Sequence, residues 1–300
     1  MMRTLSILVL TIAVTCGLQA QNLKPYLLGA EATGSMSEVK TTVDKQLKKH
    51  GLKILGSYMP ANDSKRYVYA VSSSDLISAV KSVGGLTGFA AAQRVALTEE
   101  GGKILISYTN PPYWGNAYFR DDYDKVKKYY DKFAGRLKKA MKDCGKPMVV
   151  AFGSEEGEEI DDLRDYSYMI MMPEFDDTNV LREFGSYSEA VKTIDAKLKK
   201  GVKNVSLVYA MEIPGKQLKL YGIGLSGPDG EADFMPTIDI AAPKHTAFLP
   251  YEMLVMGNEV HMLHGRFRIA LSFPDLTMGT FTKIMSTPGD IEDLLTSICE

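Results

Sequence analysis

The sequence predicts an α+β protein of two tandem related units, each a largely antiparallel sheet with helices packed on one face. Three observations carry that expectation. The segment SEVKTTVDKQLKK at 37–49 returns as SEAVKTIDAKLKK at 188–200, with Ser, Glu, Thr, Asp, Leu, Lys and Lys matching at a constant offset of 151. The stretch FAAAQRVALTEEGGKILISYTNPPYWGNAYF at 89–119 is echoed by FLPYEMLVMGNEVHMLHGRFRIALSFPDLTMGTF at 248–281. Both halves also read in one order: a strand, a helix, two strands, a hairpin and a closing helix. Short strands joined by turns favour antiparallel pairing, which leaves one sheet face for helices to cover.

At 300 residues the chain is long enough for two domains that each bury a core. Apolar residues make up 45% and charged residues 24%, the balance of a globular protein rather than a disordered or membrane one. The net charge of −2 gives no electrostatic case for nucleic acid. Arg3, the apolar run Leu5 to Val14 and the small Ala20 before Gln21 form an export signal over residues 1–20. That run is too short to span a bilayer, and no later one is long enough. An extracytoplasmic location, periplasmic or secreted, is therefore expected. After cleavage Cys144 and Cys299 are the remaining thiols. An oxidising compartment permits a disulfide between them without demanding one. Each ends the closing helix of its unit, and such positions meet only if the symmetry axis passes between them, so free thiols are expected.

In the first unit, residues 21–152, Pro25 to Thr33 reads as a strand and Ser37 to His50 as a helix. Ser37 is its expected cap, Val39, Val43 and Leu47 form its buried stripe, and Gly51 ends it. Leu52 to Met59 and Arg66 to Val71 are strands, and Ser74 to Val83 is a helix stopped by Gly84-Gly85. Gln93 to Thr98 and Lys103 to Tyr108 form a hairpin around Glu-Glu-Gly-Gly. After the loop TNPPYWGNAY comes an amphipathic helix, Asp121 to Cys144, with Val126, Tyr130, Phe133, Leu137 and Met141 on its buried face. Residues 153–165 carry seven carboxylates and one arginine and read as a solvated linker. The spacing is wrong for a calcium loop.

The second unit, residues 166–300, opens with an expected strand at Tyr166 to Met172. The helix Ser188 to Lys200 buries Ala190, Ile194 and Leu198. Strands Val205 to Ile213 and Gln217 to Gly224 follow, then a divergent loop, the hairpin, an alternating strand at Arg266 to Phe273, and a last helix at Asp290 to Cys299. The first and second units should share one strand order.

The residues Leu249, Pro250, Val255, Pro274 and Asp275, within LPYEMLV and the later FPDLTM, resemble the family known as domain of unknown function 302. In the first unit Asn110-Pro111 fills the loop position and Ala90-Ala91 stands where Leu-Pro would be. The resemblance is fuller in the C-terminal third. It implies a compact α+β fold and no established activity.

Chemistry-bearing motifs are few. Gly222-Ile223-Gly224-Leu225-Ser226-Gly227 fits the dinucleotide fingerprint in letters only, because turn residues follow where a helix should begin. His261 and His264 among methionines suggest a soft-metal site, but residues three apart on a strand face opposite ways, so no metal is assigned. No nucleophile elbow or HExxH motif occurs. No catalytic residue and no cofactor is assigned. Two stretches are candidates for ligand contact. Asn110, Tyr113, Trp114, Asn116 and Tyr118 mix ring faces with amides in a loop. His264, Arg266 and Arg268 form a cationic row on the polar face of the expected strand, with Asp275 beyond it. The leading expectation is a non-catalytic binding or accessory protein for an unknown small molecule or protein partner. The alternatives are an enzyme working between the units with His264, Arg266 and Asp275, or an assembly protein docking another chain by a flat apolar face.

Overall fold

The computed structural model describes residues 22–300, so the expected export signal lies outside the described residues. The first unit begins with β1 (Tyr26–Ala32) and α1 (Met36–Lys49). Ser35, not Ser37, caps α1: its hydroxyl accepts from Glu38 N–H and the Glu38 carboxylate accepts from Ser35 N–H at 2.8 Å. The reciprocal Ser-x-x-Glu pair therefore sets the start. Next come β2 (Lys53–Tyr58), β3 (Arg66–Ser72), α2 (Ser74–Val83), β4 (Gln93–Glu100) and β5 (Lys103–Thr109), close to the expected bounds. The expected loop TNPPYWGNAY is instead a helix, α3 (Pro111–Phe119), with Pro111 in its first turn where a missing N–H costs nothing. The amphipathic helix is α4 (Tyr123–Lys142), and its expected stripe is fully buried. A strand that the sequence did not reveal, β6 (Lys146–Phe152), pairs with the outer edge of β1.

A short helix, α5 (Ile160–Arg164), interrupts the acidic run. Tyr166 to Met172 is not a strand. Met172 N–H closes a turn onto Met169 O, with Met171 at φ 70, and the first strand of the second unit is β7 (Asn179–Glu183). Then follow α6 (Tyr187–Lys200), β8 (Val205–Glu212), β9 (Leu218–Leu225) and α7 (Glu231–Ile238), the last inside the stretch expected as a loop. The hairpin is β10 (Tyr251–Met256) and β11 (Glu259–Met262). Arg266 to Phe273 is not a strand but the helix α8 (Gly265–Ser272), followed by α9 (Met278–Phe281) and α10 (Thr287–Cys299).

Two antiparallel sheets result, ordered β2-β3-β4-β5-β1-β6 and β8-β9-β10-β11-β7. The strand order of the second is that of the first without β6, as duplication of one unit requires. The fold is α+β with two sheet–helix units. The buried apolar side chains nevertheless form one continuous cluster running through both. The short 3-10 turn Gly85–Ala91 of the first unit packs on β9 and β10, and its counterpart Thr246–Phe248 packs on β3, β4 and β5. Each unit thus lends a turn to the other's sheet.

The pairing registers show where the units meet. Ala70 lies between Gly56 on β2 and Arg94 on β4, while Gly222 lies between Tyr209 on β8 and Glu252 on β10. Arg94 and Glu252 thus hold the same place in their sheets, and they are paired to each other with both side chains fully buried. Related positions touch only at the axis relating them, so the pair stands on the pseudo-twofold. Burial works against the Arg94 charge, but Glu252 and Tyr209 outweigh it and leave its pKa raised. Tyr209 also donates to Glu252. The counterpart of Tyr209 is Gly56, where a Cβ would sit 1.9 Å from Val208 O, so β2 and β8 approach too closely for any side chain there. Gly222 makes room for the Tyr209 ring, which a Cβ would meet at 2.0 Å. These packing roles account for two glycines that the dinucleotide fingerprint and the turn chemistry leave open.

A second bridge is Glu231 on α7. It is buried and accepts from Tyr58 OH at 2.8 Å and Ala61 N–H at 2.8 Å across the boundary, and from Leu225 N–H at 3.1 Å in its own unit. Burial pushes its carboxyl from 4.5 up to about 7, against the pull of those hydrogen bonds. The folded protein therefore holds this proton more tightly than the unfolded chain. The Glu231 contribution is full below about pH 4.5 and is lost as pH rises through 7. Glu231→Gln should remove this slope. The stability difference between variant and parent, followed by urea melts, should move in favour of the variant by up to about 3 kcal/mol between pH 4.5 and 8. Parallel pH profiles would show that Glu231 is not the titrating bridge.

Candidate functional site

Both stretches singled out in the sequence are brought together, but in the interior. Asn110 and His264 hold the caps of α3 and α8. Four residues on, Trp114 and Arg268 face one another, with the guanidinium carbon 5.9 Å from the indole ring. Trp114 is 1% exposed and donates its Nε1–H to Pro25 O at 2.8 Å, so it anchors α3 to β1. Tyr113 OH donates to Leu271 O at 2.8 Å, binding α3 to α8. Tyr118 OH accepts from Arg268 at 3.3 Å. Arg268 also donates to Phe248 O at 2.8 Å and Pro250 O at 3.1 Å, and lies 3.9 Å from Glu252. Asn110 donates to Lys24 O, while Asn116 donates to Pro112 O and accepts from Arg164. No ring face of the expected recognition loop is left to solvent.

The cationic row does not form, because a helix turns its members apart. His264 accepts from Arg266 N–H at 3.2 Å as the α8 cap, Arg266 points outward, and Arg268 points inward. His261 lies on β11 beside Thr178 and Glu259. Among the described residues, no group of three His, Cys, Asp or Glu is placed to hold a metal ion, and no helix is long and apolar enough to cross a membrane. Cys144 and Cys299 are free and buried, and burial pushes both thiols up to about 12.

Asp275 has a different setting. It accepts from Ser154 Oγ at 3.1 Å and Glu155 N–H at 2.8 Å, tying the acidic run to the loop after α8. It stands at the mouth of an open cleft of about 520 Å³ between the two units. The end of β6 supplies Phe152 to one wall, the segment after α7 supplies Ile238, Ala241 and Pro243, and the end of α8 supplies Phe273. Polar groups gather around this apolar floor. Lys24 donates to Glu155 O at 2.8 Å, and Thr277 and Thr280 line the far rim.

His245 is the polar side chain set into the floor. Its ring stacks on Phe273 at 4.7 Å and packs against Tyr26 at 5.0 Å and Phe152 at 5.8 Å. Its backbone N–H is held by Asp239, which also pairs with Arg66 of the first unit. Burial lowers its pKa, and Asp239, the Ser272 backbone and Asp275 only partly offset this. The ring is therefore neutral at neutral pH. Of the residues lining this cleft, sequence reasoning names Asp275 as a candidate and passes over His245, Phe152 and Lys24. Those three lie on segments far apart in the chain, and no spacing links them.

No family profile matches the chain, and no curated protein matches it. Among solved structures it is similar to the crystal structure of an uncharacterized conserved protein DUF302 from Bacillus stearothermophilus, at 14% identity and a TM-score of 0.35. The match spans 39% of this chain and 97% of that one.

The burial of Trp114 has a measurable consequence. Trp114→Ala should destabilise the protein by about 3–5 kcal/mol, the range for large aromatic truncations in cores. Chemical denaturation of the variant checks this. A loss below about 1 kcal/mol would place the indole outside the core.

Proposed function

We propose that this is an exported, non-catalytic binding or accessory protein whose small-molecule ligand occupies the cleft around His245, Phe152 and Phe273. The observation that carries the proposal is the cleft itself. Its volume of about 520 Å³ lies within the roughly 300–1,000 Å³ usual for small-ligand sites. A mostly apolar floor with a few polar groups at the rim is the composition such sites share.

The arrangement of polar groups favours binding over catalysis. Ser154, His245 and Asp275 line one cleft, which invites comparison with a hydrolytic triad. In a triad the histidine stands between the hydroxyl and the carboxylate. Here the Asp275 carboxylate accepts directly from Ser154 Oγ, and no histidine stands between them to take the hydroxyl proton. Export is supported by Arg3, the apolar run Leu5 to Val14 and Ala20. Mass spectrometry of the protein recovered outside the cytoplasm should give a chain beginning at Gln21.

Ala241 is exposed on the cleft wall, so Ala241→Trp should fill the cleft without disturbing the core. In a ligand-observed NMR screen of aromatic and aliphatic fragments, the parent should give saturable binders that A241W loses while melting at the parent temperature. Binders that persist in A241W, or no saturable binder at all, would count against the cleft.

A further inference from the structure

β6 is the last strand of its sheet, and among the described residues no strand pairs with its outer edge. Backbone groups alternate in direction along an antiparallel pair, so each can be assigned a side. Asn110 N–H donates to Pro25 O, one step beyond the Tyr26–Thr109 pair. That bond turns Pro25 and Leu27 toward β5, and leaves Tyr26 and Leu28 to bond β6. Their partners there are Phe152 and Val150, which close the ladder with β1. Ala151, between them, turns both its N–H and its C=O away from β1, and neither has a backbone partner among the described residues.

The cleft reaches that edge. Ala151 and Phe152 both line it, although successive strand residues carry their side chains on opposite faces. A cleft that touches both wraps round the strand edge instead of lying on one face. The edge is also apolar on both faces, with Val149 73% exposed and Val150 46% exposed. Proteins blunt their free edges with prolines, lysines and bulges. In β6 these stand only at the start, as Lys146, Pro147 and the register shift before Val150. The stretch left open to pairing is Val149 to Phe152. It is shorter than an ordinary strand and ends in an apolar cleft, which suits a short peptide better than the edge of a second sheet.

We infer that the ligand of this cleft is a short extended peptide that adds to β6 in the antiparallel sense of the rest of the sheet. Main-chain hydrogen bonds to a free edge, with a pocket for alternate side chains, are a general means of holding such peptides. The central residue of the peptide exchanges two backbone hydrogen bonds with Ala151. Its neighbours stand opposite Phe152 and Val150 and turn their side chains to the Phe152 face. The side chain opposite Phe152 meets the apolar floor that Phe273 completes, so an apolar residue is selected there. The inference deepens the reading of the cleft as a binding site and rests on it.

The test is isothermal titration of the mature protein with the probe acetyl-Thr-Phe-Thr-Val-Thr-amide and the same peptide N-methylated at its central threonine. The methylated peptide should bind at least tenfold more weakly, because one donor is lost and the Ala151 carbonyl is left unmet. Ala151→Pro removes the outward N–H while Val150 and Phe152 keep the ladder with β1, as an edge strand tolerates. It should weaken the unmethylated peptide by a similar factor. Amide exchange of the parent protein gives a reading independent of any variant. The Ala151 N–H should exchange freely alone and at least tenfold more slowly with peptide, whereas Val150 and Phe152 stay protected throughout. Equal binding of the two peptides, or Ala151 exchange that ignores the peptide, would overturn the inference. If the peptide fails while fragments lost in A241W still bind, the cleft stands and the peptide falls. If neither binds, both fall. A parent dimer that A151P dissolves, with no peptide bound, would give the edge to a second copy and also overturn the inference.

Discussion

One buried ion pair fixes how the two units sit. Arg94 and Glu252 occupy the same place in related sheets, and they meet with neither side chain reaching solvent. A buried pair adds little net stability, but breaking it costs about 3–5 kcal/mol because a charge is left without a partner. Removing either partner while the units stay together therefore leaves the other ion buried and unpaired. The pair also requires the repeats to differ. Identical charged residues at this place would set like charges against each other on the axis, so an ion pair here needs one copy to carry the cation and the other the anion. The same asymmetry extends outward. Tyr209 supports Glu252 while its counterpart is Gly56, and Trp114 stands where the other unit has Arg268.

That constraint is what gives the cleft its shape. With the sheets locked near their centre and a turn exchanged on each side, the end of β6 and the segment after α7 are left facing one another. The wall segment is itself held from both units: Asp239 pairs with Arg66, Thr246 accepts from Thr98, and Lys244 N–H donates to Glu100. His245 is thus set into a floor built by two units, on a segment that neither repeat positions alone.

Much of the fold was legible in the sequence because its surface elements keep a clean period. Val39, Val43 and Leu47 on α1, and the stripe on α4, show one wet and one dry side, which is what a helical pattern reports. The repeat itself was legible from shared residues on α1 and α6. Two of the helices misread, α3 and α8, failed for one reason. They run through the centre, where Asn116, Arg268 and Ser272 are as buried as their apolar neighbours, so no stripe separates inside from outside. In α8 the accident of Phe267, Ile269, Leu271 and Phe273 then imitated a strand. Of the residues chosen as candidates, Tyr113, Trp114, Tyr118 and Arg268 lie together in the interior, where they serve packing. Asp275 was legible as a polar residue after the echo, whereas His245 gained its meaning only from Phe152 and Lys24, more than ninety residues away.

The measurement that tests this account most directly is a double-mutant cycle on the axis, using Arg94→Met, Glu252→Gln and the pair together, followed by urea denaturation. Each single change should cost about 3–5 kcal/mol, and the double should cost clearly less than their sum, with a coupling of at least about 2 kcal/mol. Additive losses, or single variants as stable as the parent, would contradict the claim that this pair locks the two units into one body.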